Sequence, residues 1–252
     1  MRLLFVWVWI WAWVSVWICP LLAPAAAMVK STADRNLQPH TVMILGSKGS
    51  FCSAIVLKQD VLLTAAHCVT GSSDYRIHWR STDGTPVLEA PAAIAIHPGY
   101  TKDAAQARKR SIDLALVKLQ SPLPALFDRV SLSDAIPRAG ERLTVGGYGL
   151  GNENDPASSG VFRIATLGVI EPYGPSSILV WLTDPATGTK ASGAGACTGD
   201  SGGPIFNADG SLVAVTIYAE GPGKQRCGAL TQGLLVQPQR SFINTTLKKW
   251  NR

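Results

Sequence analysis

Residues 197–204 form a segment whose composition suits nucleophilic catalysis. The segment reads Cys-Thr-Gly-Asp-Ser-Gly-Gly-Pro, so Ser201 has three glycines close to it. A serine hydroxyl is a poor nucleophile at neutral pH, so such chemistry needs a base and hydrogen-bond donors for a developing oxyanion. Glycines allow a tight turn in which backbone N–H groups converge on one point. We predict Gly199 and Ser201 as the donors, although a glycine-rich turn by itself also suits an ordinary loop.

Two further segments contain side chains that would complete such a site. Residues 63–68 read Leu-Thr-Ala-Ala-His-Cys, so His67 follows an apolar run and precedes a cysteine that can fix it. Asp113 is an acid inside the otherwise apolar segment Ile-Asp-Leu-Ala-Leu-Val. Burying a carboxylate is costly unless it meets a cation or hydrogen-bond donors. Asp113 therefore needs a partner, and we expect His67, with Ser201 as the nucleophile that the pair activates.

The elements that must position these residues are short β-strands. Apolar runs alternate with Gly, Pro, Asn and Asp along the chain, which favours an all-β fold. Residues 238–250 predict a helix, because apolar side chains recur there at spacings of three and four after Pro238. The predicted strands are 41–45, 51–57, 61–65, 92–97, 114–119, 143–147, 162–170, 178–183, 204–206, 212–218 and 229–236.

The first 27 residues have the composition of an export signal. Arg2 is the one charged residue among them, a long apolar run follows, and Ala25–Ala27 supplies the small residues that a signal peptidase needs. An uncleaved membrane anchor is the alternative, since a span takes about 20 apolar residues. A lipid anchor on Cys19 is disfavoured by the bulky residues before it. We expect a signal peptide at 1–27, a domain at 28–252, and a secreted or periplasmic location.

Charge and ligand patterns argue against several other classes of function. Without the first 27 residues, 22 basic and 17 acidic side chains give a mild formal charge of +5. The densest basic run, 108–110, has no aromatic neighbours, so we expect a solvated loop and no nucleic-acid partner. No Cys-x-x-Cys occurs, and the four histidines lack the spacing of a metal-binding helix. We predict neither a metal nor another cofactor.

The cysteines of an exported protein are expected to form disulfides. Four remain once Cys19 is removed with the signal, and four cysteines allow three pairings. The two short-range pairs, Cys52 with Cys68 and Cys197 with Cys227, would each flank one of the segments described above.

The combination of these segments resembles the trypsin-like serine proteases of the chymotrypsin fold. The order His67, Asp113, Ser201 is the order in that family, and residues 64–68, 113–119 and 199–204 match its motifs. Lesser similarities occur at Ile-His-Pro (96–98), at Gly-Tyr-Gly (147–149) and in the terminal helix. The resemblance covers nearly all of residues 39–250.

The resemblance implies both an architecture and an activity. The architecture is two packed six-stranded antiparallel β-barrels, at about 39–122 and 140–237, followed by a C-terminal α-helix at 238–250. The activity is that of a secreted serine endopeptidase that hydrolyses peptide bonds through an acyl-enzyme intermediate, using His67, Asp113 and Ser201. Polypeptides are the expected substrates, a protein inhibitor is a candidate partner, and the expected state is a monomer. The two short-range disulfides are also implied.

One departure from the family's pattern concerns substrate choice. The residue six before the nucleophile is acidic in members that cut after Lys or Arg, and here it is Gly195. Thr216, Ile217 and Tyr218 match the strand that pairs with the substrate backbone. With Tyr218 at the pocket mouth and Gly195 and Gly228 at an uncharged base, we expect a small or medium apolar side chain before the cut.

A second departure concerns activation. In the family, a new α-amino group released after a basic residue pairs with the acid beside the nucleophile, here Asp200. The usual Arg-Ile-Val-Gly-Gly is absent. Cleavage after Ala27 would begin the chain at Met28-Val29, close to the expected position relative to Pro39, so we expect signal removal itself to create the terminus. The alternative is that Asp200 is a turn carboxylate held by backbone amides.

Two other functions fit part of the sequence. A protease-like binding protein that has lost its activity would keep the fold, but the presence of all three candidate catalytic residues disfavours it. An esterase or lipase would use the same three residues, and the relative turnover of peptides and short-chain esters would separate the two activities.

Overall fold

A computed structural model of the chain describes residues 28–71, 73–102, 110–170 and 178–251. The expected signal peptide at 1–27 and residues 108 and 109 of the basic run lie outside this part. Within it, no helix is long and apolar enough to span a membrane. The described part is built mainly from β-strands, which confirms the all-β prediction.

The described part of the chain contains fourteen strands and one α-helix. The strands are β1 (Thr32–Ala33), β2 (Thr41–Gly46), β3 (Phe51–Lys58), β4 (Val61–Thr64), β5 (Tyr75–Arg80), β6 (Pro86–Glu89), β7 (Pro91–Ile96), β8 (Ala115–Leu119), β9 (Arg142–Gly147), β10 (Arg163–Ile170), β11 (Leu179–Thr183), β12 (Pro204–Phe206), β13 (Leu212–Glu220) and β14 (Leu230–Leu235). The helix is α1 (Arg240–Trp250).

The first half of the chain forms a curled antiparallel sheet of seven strands. Its order is β6-β5-β2-β3-β4-β8-β7. Strand β4 is buried at all four positions, and β3 is buried at its six central ones. Curling covers both faces of these central strands, which explains why their sequences are continuous apolar runs rather than alternating ones.

The second half forms a closed barrel of six strands. Strand β9 pairs with β12 on one side and with β10 on the other, which closes the order β9-β10-β11-β14-β13-β12. The short strand β1 adds to β10 from outside, through Thr32 and Ala33. The interior is filled by apolar side chains, among them Leu143, Leu167 and Leu182. The closed barrel confirms the expected antiparallel architecture for this half.

A shared apolar cluster holds the two halves and the helix together. It joins Ile55 and Leu63 of the first sheet to Phe206 and Val215 of the barrel, and it includes Ile243 of α1. Each buried aliphatic side chain of this size contributes roughly 1.5–3 kcal/mol. The predicted terminal helix is confirmed: a 3₁₀ turn at Gln237–Gln239 contains Pro238 and leads directly into α1.

Three strands were not predicted from the sequence. In β5, Ile77 and Trp79 are buried while Arg76 and Arg80 are exposed, so only two side chains of this strand signal a core. Its hairpin partner β6 is exposed or half-buried throughout. Strand β1 has two exposed residues, and its pairing with β10 comes from the backbone alone.

Candidate active site

The turn at 197–203 is organised around the buried carboxylate of Asp200. This side chain has no exposed surface. Its Oδ1 accepts a hydrogen bond from the backbone N–H of Gly149 at 2.8 Å, and its Oδ2 accepts one from Cys197 at 2.8 Å. A Cβ on Gly147 would overlap Oδ1, and one on Gly149 would lie 2.5 Å from Cγ. Both positions must therefore be glycine for the carboxylate to fit.

Burial alters the proton affinity of this carboxyl group. Loss of hydration raises the pKa of Asp200 to about 7, while the two backbone hydrogen bonds and the nearby charge of Arg163 oppose that rise. The turn-carboxylate interpretation, in which neighbouring amides satisfy Asp200, agrees with these contacts. Each oxygen of Asp200 accepts one of these hydrogen bonds and has a second acceptor site that could meet a cation.

The backbone at Gly199 is shaped so that two N–H groups stay available. Gly199 has φ +97°, in the region that favours glycine, and a Cβ there would overlap the ring of Phe51. Within the described residues, neither the Gly199 N–H nor the Ser201 N–H donates to a backbone carbonyl. These two amides are the predicted oxyanion donors, and Ser201 itself is partly exposed.

Ser53 of strand β3 ties this turn to the first sheet. Its N–H donates to the carbonyl of Ser201 at 2.8 Å. Its hydroxyl donates to the carbonyl of Gly199 at 3.0 Å and accepts from the N–H of Tyr148 at 3.0 Å. Thr64 donates to the carbonyl of Ser53 at 2.9 Å. Ser53 is fully buried, so the position of the turn is coupled to β3 through contacts that water does not compete for.

His67 and Asp113 meet as the sequence predicts. His67 lies in a 3₁₀ turn directly after β4, and its Nδ1 is 2.6 Å from Asp113 Oδ2. The backbone N–H of His67 donates to Asp113 Oδ1 at 2.8 Å, so both carboxylate oxygens orient the histidine. Strand β8 begins at Ala115, which places Asp113 at the entrance to the strand rather than inside it. The side chain of Asp113 is 16% exposed and that of His67 is 38% exposed.

Both short-range disulfides are present in the structure. Cys52–Cys68 joins β3 to the turn that carries His67, and Cys197–Cys227 joins the start of the Asp200 turn to the segment before β14. Among the described residues, Cys52, His67 and Cys68 form a group compact enough to hold a metal ion. Both sulfurs belong to the disulfide, so this group lacks the thiolates that a metal would need.

A cleft of about 740 Å³ contains His67 and Ser201. Both sheets contribute to its wall, with Phe51 and Tyr75 on one side and the end of β13 on the other. Of the predicted pocket residues, Thr216, Ile217 and Tyr218 line the cleft.

Gly195 and Gly228 lie behind the cleft wall, packed against each other. A Cβ on Gly195 would be 3.2 Å from the Cα of Gly228, and neither residue lines the cleft. In front of them, β13 continues to Glu220, whose partner in β14 is Leu230. Ala219 of this extension packs against the barrel core. Ala219 and Glu220 of this extension also line the cleft.

The comparison with known protein families and proteins agrees with this geometry. Residues 28–233 match the family model described as Trypsin. The chain is 26% identical over 258 residues to kallikrein-15 of Saguinus oedipus, covering 90% of this chain and 91% of the relative. It is 29% identical over 187 residues to a trypsin-like protease of Streptomyces glaucescens, covering 70% of this chain and 67% of that protein.

Solved structures show the same fold. Neuropsin, described as a serine protease expressed in the limbic system of mouse brain, superposes with a TM-score of 0.71 at 19% identity, covering 87% of this chain and 99% of neuropsin. Human heparin binding protein superposes with a TM-score of 0.68 at 22% identity, covering 87% of this chain and 96% of that protein.

The role of Ser53 gives a prediction for stability. Ser53→Ala removes one donor and leaves the buried N–H of Tyr148 without its acceptor, so we expect the free energy of unfolding to fall by about 1–3 kcal/mol. Urea denaturation measures this. Ser131→Ala, at an exposed serine, is the control and should change stability by less than about 0.5 kcal/mol. Equal effects of the two substitutions would contradict the coupling described here.

Proposed function

This chain belongs to the trypsin family of serine proteases, and on that premise we propose that Ser201, His67 and Asp113 form its catalytic triad. Members of the family are serine endopeptidases, whose substrates are polypeptides. The observation that carries the proposal is the 2.6 Å contact between His67 Nδ1 and Asp113 Oδ2. With Nδ1 engaged by a carboxylate, the nitrogen free to accept a proton from a serine is Nε2. His67 and Ser201 line the same cleft.

The proposed reaction has two stages. Ser201 Oγ attacks the scissile carbonyl while His67 Nε2 takes its proton, and the backbone amides of Gly199 and Ser201 bind the oxyanion. His67 then donates that proton to the leaving amine, which departs and leaves an acyl group on Ser201. Water, deprotonated by His67, attacks the acyl carbon; the bond from that carbon to Ser201 Oγ then breaks, His67 returns the proton to Oγ, and the carboxylic acid product leaves. Asp113 orients the imidazole and stabilises the imidazolium in both stages.

A covalent inhibitor tests the triad directly. A peptidyl phosphonate should raise the mass of the protein by that of one bound inhibitor, with the adduct located on Ser201. Ser201→Ala should abolish the adduct.

Asp113→Asn should lower kcat by about 10⁴-fold, because the histidine is then held in the wrong tautomer. An adduct on another residue, or no adduct on a folded protein, would favour a binding protein without activity. Peptides hydrolysed far more slowly than short-chain esters would favour an esterase.

We propose that substrate choice follows from the uncharged wall that Thr216, Ile217 and Tyr218 form beside Ser201. Gly195 and Gly228, which pack against each other outside the cleft lining, supply no charge. Tyr218 stands at the rim with 42% of its surface exposed. A short apolar side chain suits this wall, whereas the acid that Lys or Arg would meet among the described lining residues is Glu220, which is exposed and hydrated.

A peptide library varied at the residue before the cut tests this specificity. Substrates with Ala, Val or Leu should exceed those with Lys or Arg by at least about tenfold in kcat/KM. Clear preference for Lys or Arg would overturn the proposed pocket while leaving the triad intact.

We propose that removal of the signal at 1–27 begins the mature, exported protein at Met28. Met28 is fully buried in the barrel core, and Val29 forms a β-bridge with Gly195, five residues before Asp200. A new α-amino group at Met28 would start from a segment already seated beside the Asp200 turn. Its positive charge would lower the pKa of Asp200 from the raised value of about 7. We also propose that the mature protein is exported and that it is a monomer.

The pH dependence of stability tests this pairing. The pKa of Asp200 is higher in the folded chain than in the unfolded chain, so the folded chain binds more protons between about pH 4 and 7. The free energy of unfolding therefore falls as the pH rises through this range, by up to about 1.4 kcal/mol per pH unit. A chain with extra residues before Met28 should show this fall between pH 5 and 7. A chain that begins at Met28 should show less of it. If stability depended on pH with the same slope in both chains, the pairing of the Met28 α-amino group with Asp200 would be contradicted. An exported protein whose intact mass places its first residue far from Met28 would also contradict it.

A further inference from the structure

His97 is paired with the residue that follows the proposed catalytic acid. It comes directly after β7, and its backbone N–H donates to the carbonyl of Leu114 at 2.9 Å, which continues the pairing of β7 with β8 by one residue. Asp113 immediately precedes Leu114. Neither His97 nor Asp113 lines the cleft, so any effect of His97 on the reaction must pass through other residues.

Asp113 lies at the centre of a three-residue turn. The N–H of Leu114 donates to the carbonyl of Ile112 at 2.9 Å, which closes the turn around Asp113. The backbone angles of the central residue set the direction of its side chain, so this turn aims the carboxylate. Both carboxylate oxygens contact His67, and a small rotation of the turn would weaken two hydrogen bonds at once.

A closed circuit of four hydrogen bonds joins this turn to the side chain of His97. Two of them are the bonds that His97 and Leu114 donate from their backbone N–H groups. In the other two, the N–H of Ile112 donates to the carbonyl of Gly99 at 3.0 Å, and the N–H of Gly99 donates to His97 Nδ1 at 2.9 Å. The imidazole is the one side-chain member of this circuit. A Cβ on Gly99 would lie 3.1 Å from Ile112 Cδ1 and 3.2 Å from His97 Nδ1, so the members are closely packed.

The imidazole of His97 must be neutral to complete the circuit. A backbone N–H only donates, so Nδ1 accepts and the ring proton is on Nε2. Burial lowers the pKa of His97, which favours this neutral form. The ring of Phe242 in α1 lies against the imidazole, with the ring centroids 4.6 Å apart and the planes at 64°. This T-shaped contact restricts rotation of the imidazole.

We propose that His97 is a positioning residue for Asp113, because its Nδ1 completes the circuit that fixes the turn around that acid. The carboxylate is thereby directed at His67. Phe242 holds the imidazole in place, so the C-terminal helix supports the same turn. This inference rests on the proposed triad and adds to it a residue that touches neither the substrate nor the reacting atoms.

A second tie in the same connection limits the effect of losing this contact. The hydroxyl of Ser111 accepts from the N–H of Thr101 at 2.9 Å and donates to the carbonyl of Thr101 at 3.1 Å. The two ends of the connection between β7 and β8 therefore stay joined without the imidazole. We expect a displaced Asp113 rather than an unfolded one when His97 is replaced.

The experiment compares two substitutions of similar shape at His97. In asparagine, Oδ1 takes the place of Nδ1 and can accept from the N–H two residues along the chain, whereas leucine branches at the same carbon but has no acceptor. Both lose the imidazole, so the difference between them isolates the hydrogen bond to Gly99. Phe242→Ala removes the ring that holds His97, and Trp250→Ala, at another half-buried aromatic residue of α1, is its control.

The readouts are kcat and KM for a peptide substrate, thermal unfolding, and the proton NMR resonance of the His67 Nδ1–H. A short hydrogen bond to Asp113 shifts that resonance far downfield. His97→Leu should lower kcat by about tenfold and leave KM within about twofold of wild type, because a misplaced acid weakens binding of the transition state while the cleft stays intact. The His67 resonance should move upfield in this variant.

The other variants should separate the hydrogen bond from the ring contact. His97→Asn should keep kcat within about threefold of wild type, because its oxygen restores the bond from Gly99. Phe242→Ala should lower kcat by about three- to tenfold through a loosened imidazole, whereas Trp250→Ala should leave kcat within about twofold.

Several results would overturn the inference. Equal kcat values for His97→Leu and His97→Asn would show that the acceptor has no role. A loss confined to KM, or to thermal stability with the His67 resonance unchanged, would mark His97 as merely structural. If His97→Leu does not fold, the comparison of Phe242→Ala with Trp250→Ala decides the question, and equal kcat values for these two would contradict the proposal. A folded wild-type chain that does not react with a phosphonate at Ser201 would instead refute the proposed triad.

Discussion

The active-site turn depends on one buried carboxylate. Asp200 has no contact with water, and a buried charge is stable only where donors and cations surround it. The N–H groups of Gly149 and Cys197 meet this need, and they fix the chain on both sides of the cleft wall in doing so. Glycines at 147 and 149 are then a steric requirement of the same contact. The Gly-Tyr-Gly similarity seen in the sequence has its physical explanation here.

The division of the molecule into two sheets separates the proposed acid–base pair from the proposed nucleophile. His67 and Asp113 come from the first sheet, and Ser201 comes from the turn that leads into the barrel. Ser53 connects the two halves, because its backbone and hydroxyl hold the turn from the first sheet. The disulfide Cys52–Cys68 adjoins the same contact and anchors the histidine turn to β3. A shift of one half against the other would therefore disturb several buried polar contacts at once.

Much of this arrangement could be predicted from the sequence, because the relevant signals are local. Continuous apolar runs indicated β3, β4 and β8, and the segments around His67, Asp113 and Ser201 each carry a recognisable pattern. Strand β5 carries an alternating strand pattern, with Ile77 and Trp79 buried between exposed Arg76 and Arg80, but it has no continuous apolar run of the kind that indicated β3, β4 and β8.

The contacts that could not be predicted depend on register and long-range packing. Ser53 looks like an ordinary strand residue until β3 is placed against the turn at 197–203. Arg163 shares its parity with the inward apolar residues of β10, but its position opposite Gly147 follows only from the register of β10 with β9. The extension of β13 along the cleft to Glu220 likewise follows from its pairing with Leu230, which no local pattern specifies.

The most direct test of the account is a crystal structure of the chain that begins at Met28 after reaction with a peptidyl phosphonate. The account predicts phosphorus bonded to Ser201 Oγ and a phosphoryl oxygen within hydrogen-bond distance of the Gly199 and Ser201 amides. It also predicts that Asp200 keeps its bonds from Gly149 and Cys197. A phosphoryl oxygen directed away from these amides, or an Asp200 side chain turned out to solvent, would contradict it.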